Sequence, residues 1–335
     1  MIHLEKENIE YREELKVAEK THVPPLTATS IIVTLSAVVF FLGIALFQTN
    51  TPENITKTAK KETKESVVFL HQDPFGDIVL EARAAFVWDI NQQEVIFAQN
   101  EEAQLPLASL TKLMTALVVR ETVPEGTTVA VDSYALSAEG DSGLYANERW
   151  NLQDLLDITL ISSSNDGARA LAAVTEAYKR TDAPETSNKK FIDYMNEKAE
   201  DIGLTQTYFL NETGLDTNSR VSGGFGSARD VAELLEYIIR NAYDIVRATT
   251  YDEIARNSLD EIEHTVQNTN KIVSTIPSLI ASKTGFTDLA GGNLVVAFDA
   301  GINHPIIVSV LGSTRNGRFQ DVKTLIQATL EKLAQ

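Results

Sequence analysis

Three short motifs in the sequence carry side chains that could together perform acyl transfer through a serine. Ser109 and Lys112 form a Ser-x-x-Lys motif, Ser163 and Asn165 form a Ser-x-Asn motif, and a Lys-Thr-Gly motif begins at Lys283. The second motif begins 54 residues after Ser109, and the third begins 174 residues after it. Each motif alone is common, but their order and spacing together indicate a serine nucleophile that works without histidine.

The first motif could supply a nucleophile and its base. Ser109 precedes an apolar stripe at helical spacing, so it should lie in the first turn of a helix, where free N–H groups favour negative charge. The stripe comprises Leu110, Leu113, Met114, Leu117 and Val118. Lys112 shares the face of Ser109, and loss of hydration would lower its pKa and make it a base. In the alternative reading, Ser109 only begins the helix and Lys112 is solvated.

The second motif lies in a break between two helical segments. The run from Ser162 to Gly167 follows a helix whose apolar face carries Leu155 and Leu156. In a cleft, the Ser163 hydroxyl could relay a proton, and the Asn165 amide could bind a substrate carbonyl or hold the lysine. The alternative is an ordinary loop between helices.

The third motif lies on a predicted strand, residues 279–287. Lys283 offers a cation and Thr284 a hydroxyl, and Gly285 would let a bound peptide backbone approach closely. An extended substrate could therefore bind along the edge of this strand. The alternative is an exposed edge strand that is protected from aggregation by its lysine.

The elements that must position these motifs predict an α+β fold. The predicted strands are residues 84–90, 94–98, 279–287, 293–298 and 305–311. Helices fill the middle of the chain, one of them beginning at Ser227, and a last helix is predicted over residues 319–333. Strands at both ends with helices between them indicate one sheet that is assembled from distant segments.

The composition excludes several classes of protein. The net charge of −18 argues against a nucleic-acid-binding protein, which needs a basic face. The chain has no cysteine, so neither a disulfide framework nor a thiolate metal site is available.

Residues 26–47 are predicted to form a transmembrane helix. They contain no charged side chain and are long enough to cross a hydrocarbon layer of about 30 Å. A cleaved signal peptide is the alternative, but the run is too long and no Ala-x-Ala site follows it. A tail (1–25), a linker (48–66) and a catalytic domain (67–335) complete the predicted organisation. Basic residues flank the span on both sides, so they do not set its orientation.

Stretches beyond the three motifs resemble D-alanyl-D-alanine carboxypeptidases of the low-molecular-mass penicillin-binding protein family. They are Ala108–Thr115, Ser164–Asp166, Thr213–Asp216, Ser227–Asp230, Asn268–Asn270 and Lys283–Asp288. The resemblance covers roughly residues 80–330. It implies a β-lactamase/D,D-peptidase-like domain, in which an antiparallel sheet packs against a helical subdomain.

The resemblance also implies a mechanism. Ser109 would attack the carbonyl between the two terminal D-alanines of a peptidoglycan stem peptide, with Lys112 as general base. Ser163 and Lys283 would help to transfer the proton to the departing D-alanine, and water would release the shortened peptide. The family needs no metal and no cofactor.

The same resemblance implies the substrate-binding groups. Asn165 and Thr284 would position the substrate on the strand that also carries Gly285, and the N–H groups of Ser109 and Phe286 would form the oxyanion hole. Beta-lactam antibiotics would acylate Ser109 because they mimic the D-Ala-D-Ala unit.

An arginine near the end of the domain holds the substrate carboxylate in this family, and Arg315 and Arg318 are both candidates. Relatives often carry a C-terminal all-β domain and a terminal amphipathic anchor, whereas here the catalytic domain ends the sequence. We therefore expect the N-terminal helix to replace that anchor in the cell membrane, with the catalytic domain outside and the tail inside.

Three alternatives use the same motifs. A serine beta-lactamase with a glutamate deacylation base would carry Glu-x-x-Leu-Asn between the second and third motifs, and the sequence lacks that string. A D,D-endopeptidase that cleaves peptidoglycan cross-links would use the same residues as a carboxypeptidase. A non-catalytic membrane receptor for beta-lactams or muropeptides is the third alternative, although its tail would be short.

Overall fold

The structure, a computed structural model, describes residues 73–140, 143–182 and 189–335. The predicted tail (1–25), transmembrane helix (26–47) and linker (48–66) lie outside these residues, as do residues 67–72 of the predicted catalytic domain. Among the residues that are described, no helix is long and apolar enough to cross a bilayer. The described residues all belong to one compact unit.

Twelve strands lie within the described residues, and most of them pair with a strand that is close in sequence. They are β1 (Ala84–Asp89), β2 (Glu94–Gln99), β3 (Leu105–Pro106), β4 (Thr128–Val131), β5 (Glu148–Asn151), β6 (Tyr208–Phe209), β7 (Gly224–Gly226), β8 (Glu253–Asn257), β9 (Glu263–Gln267), β10 (Leu279–Thr287), β11 (Gly291–Asp299) and β12 (Pro305–Ser313).

Six α-helices lie within the same ranges. They are α1 (Thr111–Thr122), α2 (Leu152–Ile161), α3 (Asn165–Asp182), α4 (Phe191–Asp201), α5 (Ala228–Asn241) and α6 (Gly317–Leu333). The predicted helix start at Ser227 is confirmed, because its hydroxyl accepts a hydrogen bond from the Asp230 N–H at 3.0 Å.

The main sheet has five antiparallel strands in the order β10-β11-β12-β1-β2. Strand β1 of the first hairpin pairs directly with β12, the last strand of the chain, where Ala84 lies opposite Leu311. The prediction of one sheet built from both ends of the domain is therefore confirmed. Strand β10, which carries the third motif, lies at one edge of the sheet and presents a side that no other strand of the sheet covers.

Both faces of the sheet are covered. Leu294, Val296 and Phe298 alternate along β11 and pack in one cluster with buried residues of α6. Their neighbours Val295 and Ala297 face the other way and pack with the helices of the middle of the chain. This two-sided burial explains why the strand is an almost continuous apolar run.

The predicted α+β class is confirmed, and the ends of four of the predicted strands differ from the observed bounds by one or two residues. Helix α6 begins at Gly317, two residues before the predicted start. Ser109 lies in a 3-10 turn, Ala108–Leu110, that runs directly into α1, and not in the first turn of α1 itself.

Candidate active site

Residues 106–110, here called the nucleophile turn, hold Ser109 in a position fixed by unusual backbone geometry. Ala108 adopts a φ of 51°, in the left-handed region that only a few per cent of non-glycine residues occupy. Such strain persists only where the surrounding structure imposes it, and it concentrates at functional sites. Ser109 itself is half-buried, whereas its neighbours Ala108 and Leu110 are buried.

Two glycines allow other segments to pack directly against this turn. A Cβ on Gly214 would overlap the Ala108 carbonyl, and a Cβ on Gly285 would lie 2.8 Å from the Leu107 carbonyl oxygen and 3.2 Å from the Ser109 nitrogen. We expected Gly285 to admit a substrate backbone. The structure shows that its missing side chain admits the nucleophile turn of the protein itself, so β10 and Ser109 are direct neighbours.

Lys112 lies beneath Ser109 and is fully buried. Its Nζ lies 3.0 Å from Ser109 Oγ, 2.7 Å from Asn165 Oδ1 and 2.8 Å from the Thr213 carbonyl oxygen. Burial lowers the pKa of Lys112 to about 7, although the charge of Glu212 acts in the opposite direction.

These contacts orient the lone pair of a neutral Lys112. The Thr213 carbonyl can only accept hydrogen bonds, and Asn165 presents its carbonyl oxygen because its Nδ2 donates to the Glu139 carbonyl at 2.7 Å. The two hydrogens of a neutral amine are thereby engaged, and the remaining lone pair faces the Ser109 hydroxyl. Lys112 is therefore placed to accept the serine proton.

The second motif forms the other wall, at the break between α2 and α3. Ser163 has a φ of 63°, so it too is left-handed, and its hydroxyl accepts a hydrogen bond from Lys283 Nζ at 2.8 Å. Asn165 is the first residue of α3, as expected for a loop that ends in a helix. The predicted break between two helices is confirmed over residues 162–164, whereas residues 165–167, predicted to belong to it, form the first turn of α3.

Lys283 is a second buried amine, and it joins the second motif to the third. Besides Ser163, its Nζ donates to the Thr284 carbonyl at 2.9 Å. Burial, followed by the charges of Lys112 and Arg318, holds the pKa of Lys283 well below its usual value. A proton on Lys283 is consequently easy to release.

Thr269 and Asn293, whose roles were not predicted from the sequence, hold the edge strand and the nucleophile turn in place. Thr284 donates from its hydroxyl to Thr269 Oγ1 at 2.7 Å. Asn293, opposite Gly285 on β11, donates from its Nδ2 to the carbonyls of Pro106 (2.9 Å) and Leu107 (3.0 Å). Asn293 thus fastens the nucleophile turn to the sheet.

The two candidate arginines occupy different positions. Arg318 is buried, donates from Nη1 to the Gly285 carbonyl at 2.6 Å, and has a pKa lowered to about 10 by burial and then by Arg315. Arg315 is exposed and stacks on the ring of Phe286, 3.8 Å from its centroid. Phe286 and Arg315 also line a depression of about 480 Å³ at the end of β10.

The structure thus brings all eight predicted site residues to one place. The contacts link Ser109, Lys112 and Asn165 in one group and Ser163, Lys283 and Thr284 in another. Gly285 lies against the nucleophile turn, and Phe286 follows it on the same strand. A serine beside a buried amine of near-neutral pKa can perform nucleophilic acyl transfer.

Comparison with known proteins agrees with this chemistry. The family model described as D-alanyl-D-alanine carboxypeptidase matches residues 68–315. The chain belongs to this family. Within the family, the chain is 28% identical over 258 residues to the D-alanyl-D-alanine carboxypeptidase DacF of Bacillus subtilis, a match that covers 75% of this chain and 62% of that protein.

Relatives with a different name are equally similar. The chain is 29% identical over 266 residues to a D-alanyl-D-alanine endopeptidase of Escherichia coli, covering 77% of this chain and 76% of the relative. Proteins named as carboxypeptidases and as endopeptidases are therefore similar to this chain to nearly the same degree.

Solved structures share the fold. A penicillin-binding protein of Listeria monocytogenes in its cefotaxime-bound form aligns with a TM-score of 0.60 and 25% identity, covering 75% of this chain and 98% of the other. A D-alanyl-D-alanine carboxypeptidase of Mycobacterium tuberculosis aligns with a TM-score of 0.64 at 22% identity, covering 77% and 95%. The predicted β-lactamase/D,D-peptidase-like fold is confirmed.

Proposed function

We propose that this protein is a serine D-Ala-D-Ala carboxypeptidase that removes the terminal D-alanine from peptidoglycan stem peptides through an acyl-enzyme. The observation that supports it most is the environment of Lys112, whose near-neutral pKa and engaged hydrogens direct a lone pair at Ser109 Oγ. Membership of the D-alanyl-D-alanine carboxypeptidase family supplies the substrate class. The match covers only 62% of the length of the Bacillus subtilis relative, so we propose the substrate and do not take it from that relative.

In the proposed reaction, neutral Lys112 takes the Ser109 proton as the serine oxygen attacks the carbonyl carbon. The N–H groups of Ser109 and Phe286 stabilise the oxyanion, at about 3 kcal/mol for each donor. As the C–N bond breaks, Ser163 and Lys283, which are hydrogen-bonded to each other, help to transfer that proton from Lys112 to the departing D-alanine nitrogen, and the low pKa of Lys283 favours its release. Water then hydrolyses the acyl-enzyme and restores Ser109.

Substrate binding is assigned to the edge strand and its neighbours. The stem peptide lies along β10 between Asn165 and Thr284, where Gly285 keeps the strand close to Ser109. The terminal carboxylate pairs with Arg318. We favour Arg318 over Arg315 because it is held against the Gly285 carbonyl, whereas Arg315 is exposed and stacked on Phe286.

The proposal includes a location. A peptidoglycan substrate lies outside the cell membrane, so the uncharged run 26–47 would anchor the catalytic domain on the outer side, with residues 1–25 inside. The same site would bind beta-lactams, as the cefotaxime-bound relative does. No step of the proposed reaction calls for a metal or a cofactor.

The test is D-alanine release by the full chain in detergent. The protein should release D-alanine from a pentapeptide that ends in D-Ala-D-Ala, and Ser109→Ala should abolish both release and labelling by fluorescent penicillin. Thr250→Val, which changes an exposed hydroxyl bonded only to the Arg247 carbonyl, serves as the control variant. A wild-type protein that releases no D-alanine would contradict the proposal.

An endopeptidase is the second candidate, because relatives with that name are equally similar. A cross-linked muropeptide dimer in the same assay distinguishes the two. Cleavage of the dimer without release of D-alanine from the pentapeptide would establish the endopeptidase. Stable penicillin labelling without turnover of either peptide would establish a receptor.

A further inference from the structure

We propose that Arg169 and Glu212 form a positioning pair that controls the charge on Lys112, and through it the pH range of acylation. The inference rests on the proposed function, in which Lys112 must be neutral to accept the Ser109 proton. Neither residue belongs to the three motifs. Both lie next to groups that bind Lys112 directly.

Glu212 is attached to the Lys112 site through its backbone. It precedes Thr213, whose carbonyl accepts a hydrogen bond from Lys112 Nζ at 2.8 Å. Its own carbonyl accepts from the hydroxyl of Thr115, three residues after Lys112 on α1, at 2.7 Å. The backbone of Glu212 is therefore fastened to the helix that carries Lys112.

Arg169 approaches Glu212 from the opposite side. It lies one turn after Asn165 on α3, hence on the same face, and its Nε is 3.4 Å from Glu212 Oε1. Its Nη1 donates to Ser137 Oγ at 2.9 Å, and its guanidinium lies 5.3 Å from the ring centroid of Tyr134. The arginine is thus held in place without Glu212, and its contact with the carboxylate is chiefly one of charge.

The two charges act on Lys112 in opposite directions. The Glu212 carboxylate favours the ammonium form and raises the pKa of Lys112 against the larger effect of burial. Arg169 offsets that carboxylate. Nearby charged residues include Asp166 on α3, Glu139, whose carbonyl accepts from Asn165 Nδ2, and Lys283 on β10, with Arg318 behind Lys283. The variants below leave all four unchanged.

Single variants should move the acidic limb of the acylation profile in opposite directions. Glu212→Gln removes a charge that favours ammonium, so Lys112 stays neutral to lower pH. Arg169→Gln leaves Glu212 unopposed, so Lys112 is protonated at higher pH. Each shift should be on the order of half a pH unit, which makes the two variants differ roughly tenfold in acylation rate near pH 6.

The experiment measures the second-order rate of fluorescent-penicillin acylation of the full chain between about pH 5 and about pH 9. In the double variant Glu212→Gln/Arg169→Gln, the acidic limb of the pH profile should lie close to that of wild type, because both charges are removed together. If the single variants acted by loosening the structure, the double variant would not restore the wild-type limb. Asp260→Asn, which breaks the exposed pair with Arg149, is the matched control and should not shift the limb.

The outcomes separate this inference from the proposed function. A wild-type protein that is not acylated would overturn the proposed function. Normal acylation with coincident limbs in all variants, or with both single variants shifted in the same direction, would overturn the role of the pair. Melting temperatures of each variant, measured across the same pH range, identify any variant that is partly unfolded.

Discussion

The packing of β10 against the nucleophile turn predicts a large effect from one added methyl group. In Gly285→Ala, the new Cβ would lie 2.8 Å from the Leu107 carbonyl oxygen and 3.2 Å from the Ser109 nitrogen. The first distance is about half an ångström or more inside van der Waals contact. Both opposing atoms belong to the backbone, so no side chain can rotate to relieve the overlap.

Neither partner can move freely. The strand is paired with β11, where Gly285 lies opposite Asn293, and Asn293 ties the turn down through two hydrogen bonds. Overpacking of this kind costs about 1–3 kcal/mol of folding free energy. In a domain of this size each kcal/mol lowers the melting temperature by about 2–4 °C. We therefore expect a loss of several degrees and a folded protein.

Acylation should also become slower. The displaced group is the Ser109 N–H, one of the two proposed oxyanion donors, together with the hydroxyl on the same residue. Since a misplacement of about 1 Å can cost about a hundredfold in rate, a shift of about half that size should slow penicillin acylation roughly tenfold or more.

Acylation rate and melting temperature are measured for Gly285→Ala and for Gly126→Ala. A Cβ on Gly126 would meet no atom within 4 Å, so its variant should match wild type in both measurements. The reasoning is refuted if Gly285→Ala is acylated as fast as wild type, or if both variants lose activity equally.

Three further predictions concern other parts of the site. Because Lys112 has a pKa of about 7, acylation should fall about tenfold for each pH unit below about pH 6, and Lys112→Arg, which stays protonated, should not be acylated. Arg318→Gln should raise KM for a peptide with a free terminal carboxylate and leave KM for its amide unchanged, whereas Arg315→Gln should affect both peptides little. Ser227→Ala removes the cap of α5 and should cost about 1 kcal/mol in urea unfolding, with no change in acylation rate; equal unfolding curves would show that the cap does not stabilise the helix.

The local parts of the fold were predictable because neighbouring residues determine them. Alternating apolar residues and short turns gave the hairpins β1–β2 and β11–β12 within a few residues of their observed bounds. The cap at Ser227 likewise depends on residues within one helical turn. The three motifs identified seven of the eight candidate site residues for the same reason, since each motif is contiguous, and the resemblance to the family supplied Phe286.

The contacts between the motifs were not predictable from one sequence. The Thr213 carbonyl accepts from Lys112, 101 positions away, and Thr269 accepts from Thr284, 15 positions away. Asn293 donates to the carbonyls of Pro106 and Leu107, 186 or more positions away, and a backbone carbonyl leaves no mark on residue type. The left-handed backbone of Ser163 has no signal either, because the residue is not a glycine. Thr213 and Thr269 did lie in stretches that resemble the family, but the resemblance alone gave them no role.

The strand order of the main sheet has a consequence for how the protein folds. Strand β1 pairs with β12, so the sheet closes only after almost the whole chain has been synthesised. Such distant pairings make folding slow. Ser109 and Lys112 emerge early, yet Lys283 and Asn293, which complete their surroundings, arrive about 170 residues or more later. Penicillin labelling of Ser109 would therefore report completion of the sheet, and a chain stopped before residue 279 should remain unlabelled although it contains the nucleophile and its base.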